Sequence, residues 1–331
     1  MMILVTGAAG HLGNVLIREL LAQNQQVRAM ILPDEDVSSL EGLNVELVEA
    51  DVLQPATLET AMQGVDLVYH LAGIISILPG SEAIMEKVNV QGTCNVVEAA
   101  MKTGVRRMVH TSSIHAFKRM PHGVIVDENT PIAADSPRGT YDCTKANGTL
   151  VVRQAVARGL DAVIVCPTGV IGPYDFRNSE MGQTILNFSR RGLKLLVDGA
   201  YDFVDVRDVA LSMILAARYG RTGETYILSG QRILVREILQ IVHELVGNRG
   251  SSIVLPIKLA DLFARVMEPI YTLTKRVPRF TRYSLQTLRD NSVFSHEKAR
   301  RELGYNPRGL RHSIADTLEW WREREKRKKL R

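Results

Sequence analysis

The stretch Met2–Gly13, MILVTGAAGHLG, reads as a short apolar strand that runs through a glycine-spaced turn into a helix. Ile3, Leu4 and Val5 form an unbroken β-rich run, as expected of a strand covered on both faces. Gly7 permits the tight turn, Gly10 lets the backbone approach a pyrophosphate, and Gly13 lets the helix pack closely on the strand. Free N–H groups at the helix N-terminus then point at an anion.

Outward from this turn the same alternation continues. QVRAMIL, VELVEA, DLVYHLA, RMVHTSS and DAVIVCP are short, apolar and rich in Val and Ile. Between them lie helical segments such as HLGNVLIRELLAQ, with apolar residues three and four apart. This pattern predicts an α/β protein with a Rossmann, doubly wound parallel sheet. The dinucleotide-binding domain is expected over residues 1–172, with a return near 201–230 that includes the late strand ETYILSG. Residues 173–200 and 231–331 are less regular and are expected to form a smaller, mostly helical substrate-binding lobe.

Composition narrows the function classes. A chain of 331 residues, 45% hydrophobic and 23% charged, has the balance of a soluble globular protein with a sizeable core. Cys94, Cys143 and Cys166 are odd in number and lack metal spacing, so reduced thiols, a cytoplasmic location and no metal are expected. MMILVTG enters a strand at once, without the basic leader and cleavage site of a secretory signal. The last ten residues, REREKRKKLR, carry seven basic and two acidic side chains, which accounts for the whole net charge of +5. The remainder is near neutral, which argues against a nucleic-acid partner. The tail reads as a solvated helix end, with contact to anionic lipid or RNA as the alternative. LPIKLADLFARVMEPIYTL is apolar but contains Lys258, Asp261, Arg265, Glu268 and Pro269, so no membrane-spanning segment is expected. It reads instead as an amphipathic helix that covers a pocket or lies on a membrane surface.

Tyr141 and Lys145, in YDCTK, are four apart and share a helix face, so both can reach one ligand. A free tyrosine, with a pKa of about 10, is a poor base at neutral pH, and a neighbouring ammonium favours its phenolate.

Together these motifs resemble the extended short-chain dehydrogenase/reductase superfamily, also called the NAD-dependent epimerase/dehydratase family. TGAAGHLG is similar to its phosphate turn, with Gly7, Gly10, His11, Leu12 and Gly13 as cofactor contacts. Asp51 and Val52 resemble its adenine contact, and Leu71, Ala72 and Gly73 its motif after the fourth strand. Asn89 falls where the family has a structural or proton-relay asparagine. Thr111 to Ser113 end the fifth strand, Pro167 opens a segment similar to the one flanking the nicotinamide, and KARRELGYNP resembles the closing helix and turn. The resemblance implies hydride transfer between an alcohol carbon and a nicotinamide, with Ser113, Tyr141, Lys145 and Asn89 as catalytic residues. Ser112 is the alternative serine, and Lys145 also donates to the nicotinamide ribose. It implies a small-molecule substrate and a possible homodimer through the helices bearing Asn89 and Tyr141.

Departures from the family pattern indicate the branch. Ile114 and His115 stand where the sugar 4,6-dehydratases carry an Asp-Glu pair, and Tyr201 stands where sugar epimerases place an arginine. CPTGVIGP, the run from VRAMILP to ADVLQPATL and RVPRFTRYSLQTL resemble the dihydroflavonol-reductase and 3β-hydroxysteroid-dehydrogenase branch. A hydrophobic ring-type substrate is therefore expected, which His115 either touches or supports structurally. The alternatives are a sugar epimerase that recycles its hydride and a redox sensor that binds cofactor without turnover. At the end of the second strand, Ile31 and Leu32 replace the usual acid and arginine, and Asp34, Glu35 and Asp36 would repel a phosphate. NAD is expected over NADP unless Arg28 turns toward the adenosine pocket.

Overall fold

The computed structural model describes residues 1–76, 80–137, 139–197, 199–247, 251–256, 259 and 282–330. The segment from Leu255 to Leu273 and the first half of RVPRFTRYSLQTL fall mainly outside these residues.

Seven strands form one parallel sheet: β1 (Met2–Thr6), β2 (Gln26–Ile31), β3 (Glu46–Glu49), β4 (Leu67–His70), β5 (Arg107–Thr111), β6 (Ala162–Pro167) and, later in the chain, Thr225–Leu228. Their spatial order runs from the Thr225–Leu228 strand through β6, β5, β4, β1 and β2 to β3. The order reverses between β1 and β4, so a crevice opens at the C-terminal ends of those strands. ETYILSG thus joins the main sheet beside β6, as its sequence suggests.

Helices cover both faces, which explains the apolar runs. On one side, α1 (His11–Ala22) packs against the helix Val206–Tyr219, and Ile3, Val5, Leu16, Val209 and Met213 share one core. On the other, α2 (Pro55–Ala61), the helix Gly92–Thr103 and the helix Thr140–Ala157 enclose Leu4, Val68, Val97, Met108 and Val152. Each such side chain, fully buried, contributes about 1.5–3 kcal/mol. The strand in VELVEA is an exception to burial on both faces. It is the sheet edge, and Leu47 is 48% exposed.

A third core, with Ile185, Phe188, Phe203, Ile238, Val242 and Ile314, lies among later elements. A three-stranded sheet runs through it: Gly169–Ile171 is parallel to Ala200–Asp205, which is antiparallel to Gln231–Leu234. The helix Glu297–Leu303 and the turn after it return to the first core through Ala299, Leu303 and Tyr305. Among the described residues no helix is long and apolar enough to cross a membrane.

Candidate active site

The expected cofactor residues lie along the C-terminal edge of the main sheet. Gly7 has φ +67°, and a Cβ there would sit 2.9 Å from the Ala72 amide nitrogen. A Cβ at Gly13 would sit 2.2 Å from the Gly7 carbonyl oxygen, so this pair needs glycine for close approach. Helix α1 starts after Gly10 with no side-chain cap and no acid in its first turn. Its first N–H groups, beginning at His11 and Leu12, remain available to an anion, which fits a pyrophosphate.

Thr6, absent from the expected site, ties the turn to the next strand. Its buried hydroxyl accepts from the Leu71 and Ala72 amides at 3.1 and 3.0 Å and contacts His70 Nδ1 at 2.9 Å. Asp51 Oδ1 accepts from the Leu53 amide at 2.9 Å, and Val52 is buried in the second core. His11 Nε2 lies 2.9 Å from the Pro173 carbonyl, which joins the phosphate turn to the loop that follows Gly172.

Asn89 occupies a π-helical turn, Lys87–Gln91, between two α-helical stretches. Its Oδ1 accepts from the Ile74 amide at 2.7 Å, while Nδ2 donates to the Ile74 carbonyl at 2.9 Å and to Thr144 Oγ1 at 3.1 Å. The side-chain amide therefore pins the loop that contains Gly73 against the helix carrying Tyr141. A π-turn adds a residue without changing the apolar character of the helix, so the sequence pattern does not show it.

The helix Thr140–Ala157 begins at Gly139, whose φ of +151° turns the chain, and Asp142 in its first turn complements the helix dipole. Tyr141 is 9% exposed and shares a hydrogen bond with Ser113. Burial pushes the Tyr141 phenol up to about 12, the Ser113 bond opposes the rise, and the Asp142 charge adds to it. Lys145 Nζ donates to the Thr111 carbonyl at 2.8 Å, and burial lowers its pKa to about 8. An ammonium has three donors, so this leaves hydrogens for a ribose hydroxyl. The two serines diverge. Ser113 caps the short 3-10 turn Ile114–Ala116, whereas Ser112 Oγ is buried 2.5 Å from Thr149 Oγ1 and also meets the Cys166 thiol.

Beside Tyr141 lies a cluster around His115, which the sequence allows as either a substrate contact or a structural histidine. The His115 ring meets Tyr141 edge-on at 5.4 Å. Its Nδ1 is 3.0 Å from Asp142 Oδ1, and its Nε2 is 2.8 Å from the Tyr201 hydroxyl. Arg119 donates to Asp142 Oδ2 at 3.0 Å, and Tyr283 donates to Asp142 Oδ1 at 2.6 Å. Arg119 also lies 3.6 Å from Asp290. Burial alone would raise the Asp142 carboxyl, but His115, Arg119 and Tyr283 outweigh it and hold it below the ordinary carboxylate range. Burial keeps His115 below its usual value, chiefly against the hydrogen bond that Asp142 accepts from it.

A parallel sheet with a crevice at its strand-order reversal, an uncapped glycine turn and a lysine beside the crevice defines a dinucleotide-binding oxidoreductase. The chain belongs to the NAD dependent epimerase/dehydratase family, whose model matches residues 3–229. It is an NAD(P)-dependent enzyme of the dehydrogenase and reductase kind. It is 38% identical to sterol demethylase protein B of Methylococcus capsulatus over 97% of this chain and 98% of that protein. It is 30% identical to human 3 beta-hydroxysteroid dehydrogenase type 7, covering 92% of this chain and 90% of the relative. The crystal structure of gox2253 superposes with a TM-score of 0.85 at 31% identity, covering 98% of each chain.

Proposed function

We propose that the protein interconverts a secondary alcohol and a ketone on a hydrophobic ring compound of the sterol class. The observation that carries this reading is the Tyr141 phenol, held between Ser113 and an aromatic wall of His115, Tyr201 and Tyr283 that, among the described residues, offers no cation without an ion-pair partner. Arg119, the cation of that wall, is already engaged by Asp142 and Asp290. A sugar nucleotide would bring a diphosphate to this region. Tyr201, which stands at the place of the sugar enzymes' arginine, instead hydrogen-bonds to His115. The whole-chain likeness to relatives named for sterol and steroid chemistry supports the same substrate class.

When bound, the nicotinamide gives or takes the hydride. Tyr141 moves the hydroxyl proton, and its raised pKa keeps it protonated at neutral pH, ready to donate to a ketone oxygen. Ser113 holds that oxygen beside the phenol and stabilises the charge that develops on it. Lys145, one helical turn on and anchored to the Thr111 carbonyl, binds the ribose. Asn89 acts at one remove by fixing the loop at Ile74.

The test follows reduced-cofactor absorbance with sterol ketones, flavonoid ketones and sugar nucleotides, comparing the native chain with Tyr141→Phe. Sterol-ketone turnover that disappears in the variant is the expected result. Turnover confined to other substrates, or retained by Tyr141→Phe, would overturn the proposal. Tightly retained cofactor without net turnover would favour an epimerase.

A further inference from the structure

We propose that Glu35 is the residue that selects the cofactor, making the chain bind NAD(H) in preference to NADP(H). This rests on the dinucleotide-binding reading of the crevice and is independent of the substrate class. The position that ordinarily carries the selecting acid is Ile31, and the chain after β2 turns back within a few residues. Glu35 Oε2 accepts from the Leu32 amide at 3.0 Å, which returns its carboxylate to the end of the strand that the missing acid would occupy. Arg177, from the loop after Gly172, pairs with the other carboxylate oxygen. The loop itself is anchored beside the phosphate turn, because Ser39 Oγ donates to the Ala9 carbonyl at 3.0 Å. A carboxylate held there has free lone pairs for ribose hydroxyls and repels a ribose phosphate.

Of the nearby arginines, Arg28 and Arg18 are held elsewhere, and only Arg177 offsets part of that repulsion. Arg28 donates to the Ala61 and Gln63 carbonyls at 2.8 and 2.9 Å and pairs with Glu46 at 2.9 Å. It therefore points to the outer edge of the sheet rather than toward the adenosine. Arg18 donates to the Ser39 carbonyl at 3.2 Å and lies over the Tyr174 ring at 4.5 Å. Arg177 is committed to Glu35. Asp34 and Asp36 flank Glu35, so a phosphate would meet three acids in succession.

The experiment titrates the full chain with NADH and with NADPH and reads the dissociation constants from the fluorescence of the bound reduced nicotinamide, without turnover. The native protein is expected to bind NADH at least tenfold tighter than NADPH. Glu35→Gln, which keeps the shape and removes the charge, should shrink that ratio severalfold. Arg177→Ala should weaken NADH several-fold, because the carboxylate loses its anchor. Equal or tighter NADPH binding in the native protein, or an unchanged ratio in Glu35→Gln, would overturn the selectivity alone. Loss confined to NADPH in Arg177→Ala would make Arg177 a phosphate ligand and overturn it as well. Failure of both nucleotides to bind would overturn the crevice reading together with this one.

Discussion

Ser112→Ala and Ser113→Ala, made separately, distinguish packing from chemistry at adjacent residues. Ser113 shares a hydrogen bond with Tyr141 and accepts from the His115 amide at 3.2 Å. Its removal takes away one donor to the reacting oxygen, worth about 10²–10³ in kcat. The lost cap on a single 3-10 turn costs at most about 1 kcal/mol of stability. Ser112 is buried against Thr149 and Cys166, and Thr149 keeps its own bond to the Lys145 carbonyl at 2.8 Å. Ser112→Ala should therefore cost about 1–2 kcal/mol of stability and leave kcat within a few-fold of native. Reduced-cofactor absorbance at saturating substrate gives kcat, and urea unfolding gives stability. If Ser112→Ala lost more turnover than Ser113→Ala, the assignment of the two serines would be reversed.

Three further outcomes are expected. Asp142→Asn should destabilise the fold by about 3–5 kcal/mol in urea unfolding, since it leaves buried Arg119 underpaired. The double variant Arg119→Met/Asp142→Leu should recover much of that loss, and a single-variant cost below about 1 kcal/mol would mean that the pair is solvated. Asn89→Leu should speed amide hydrogen exchange at Ile74, whose amide and carbonyl Asn89 holds; unchanged exchange would remove Asn89 as the anchor of that loop. Lys145, lowered to about 8 by burial, sheds its proton as pH rises through that value, so kcat/KM for NADH should fall there. A profile that stays flat to about pH 10 would show that Lys145 keeps its proton in the free enzyme.

The fold was legible because its evidence is local. β-rich runs, glycine spacing and helical periodicity each need only a few neighbouring residues, and parallel strands between helices admit few topologies. VELVEA misled on burial because edge and centre positions depend on sheet order, which no single strand encodes. In the site, Tyr141, Lys145 and Ser113 were readable from motifs. Tyr283 was not, since it reaches His115 across 168 residues through packing alone. Arg119 and Asp142 left a weak signal: a cation four residues after His115 and an acid adjoining Tyr141. Their burial, which makes the pair matter, depends on contacts with Tyr283 and Asp290 from far along the chain. Glu35 was visible as one of three acids, but its fold back to Leu32 was not.

The helix Leu310–Leu330 places Trp320 edge-on to Phe176 at 5.2 Å, and Arg324 donates to the Phe176 carbonyl at 3.2 Å. That loop also supplies the Pro173 carbonyl to His11 in the phosphate turn. A segment made early is therefore buttressed by one made much later. A nascent chain can pair its early strands while still tethered, since domains fold progressively from the N-terminus. The loop beside the phosphate turn gains this support only once the helix bearing Trp320 has been made, so tight cofactor capture is expected to follow that helix rather than the early strands.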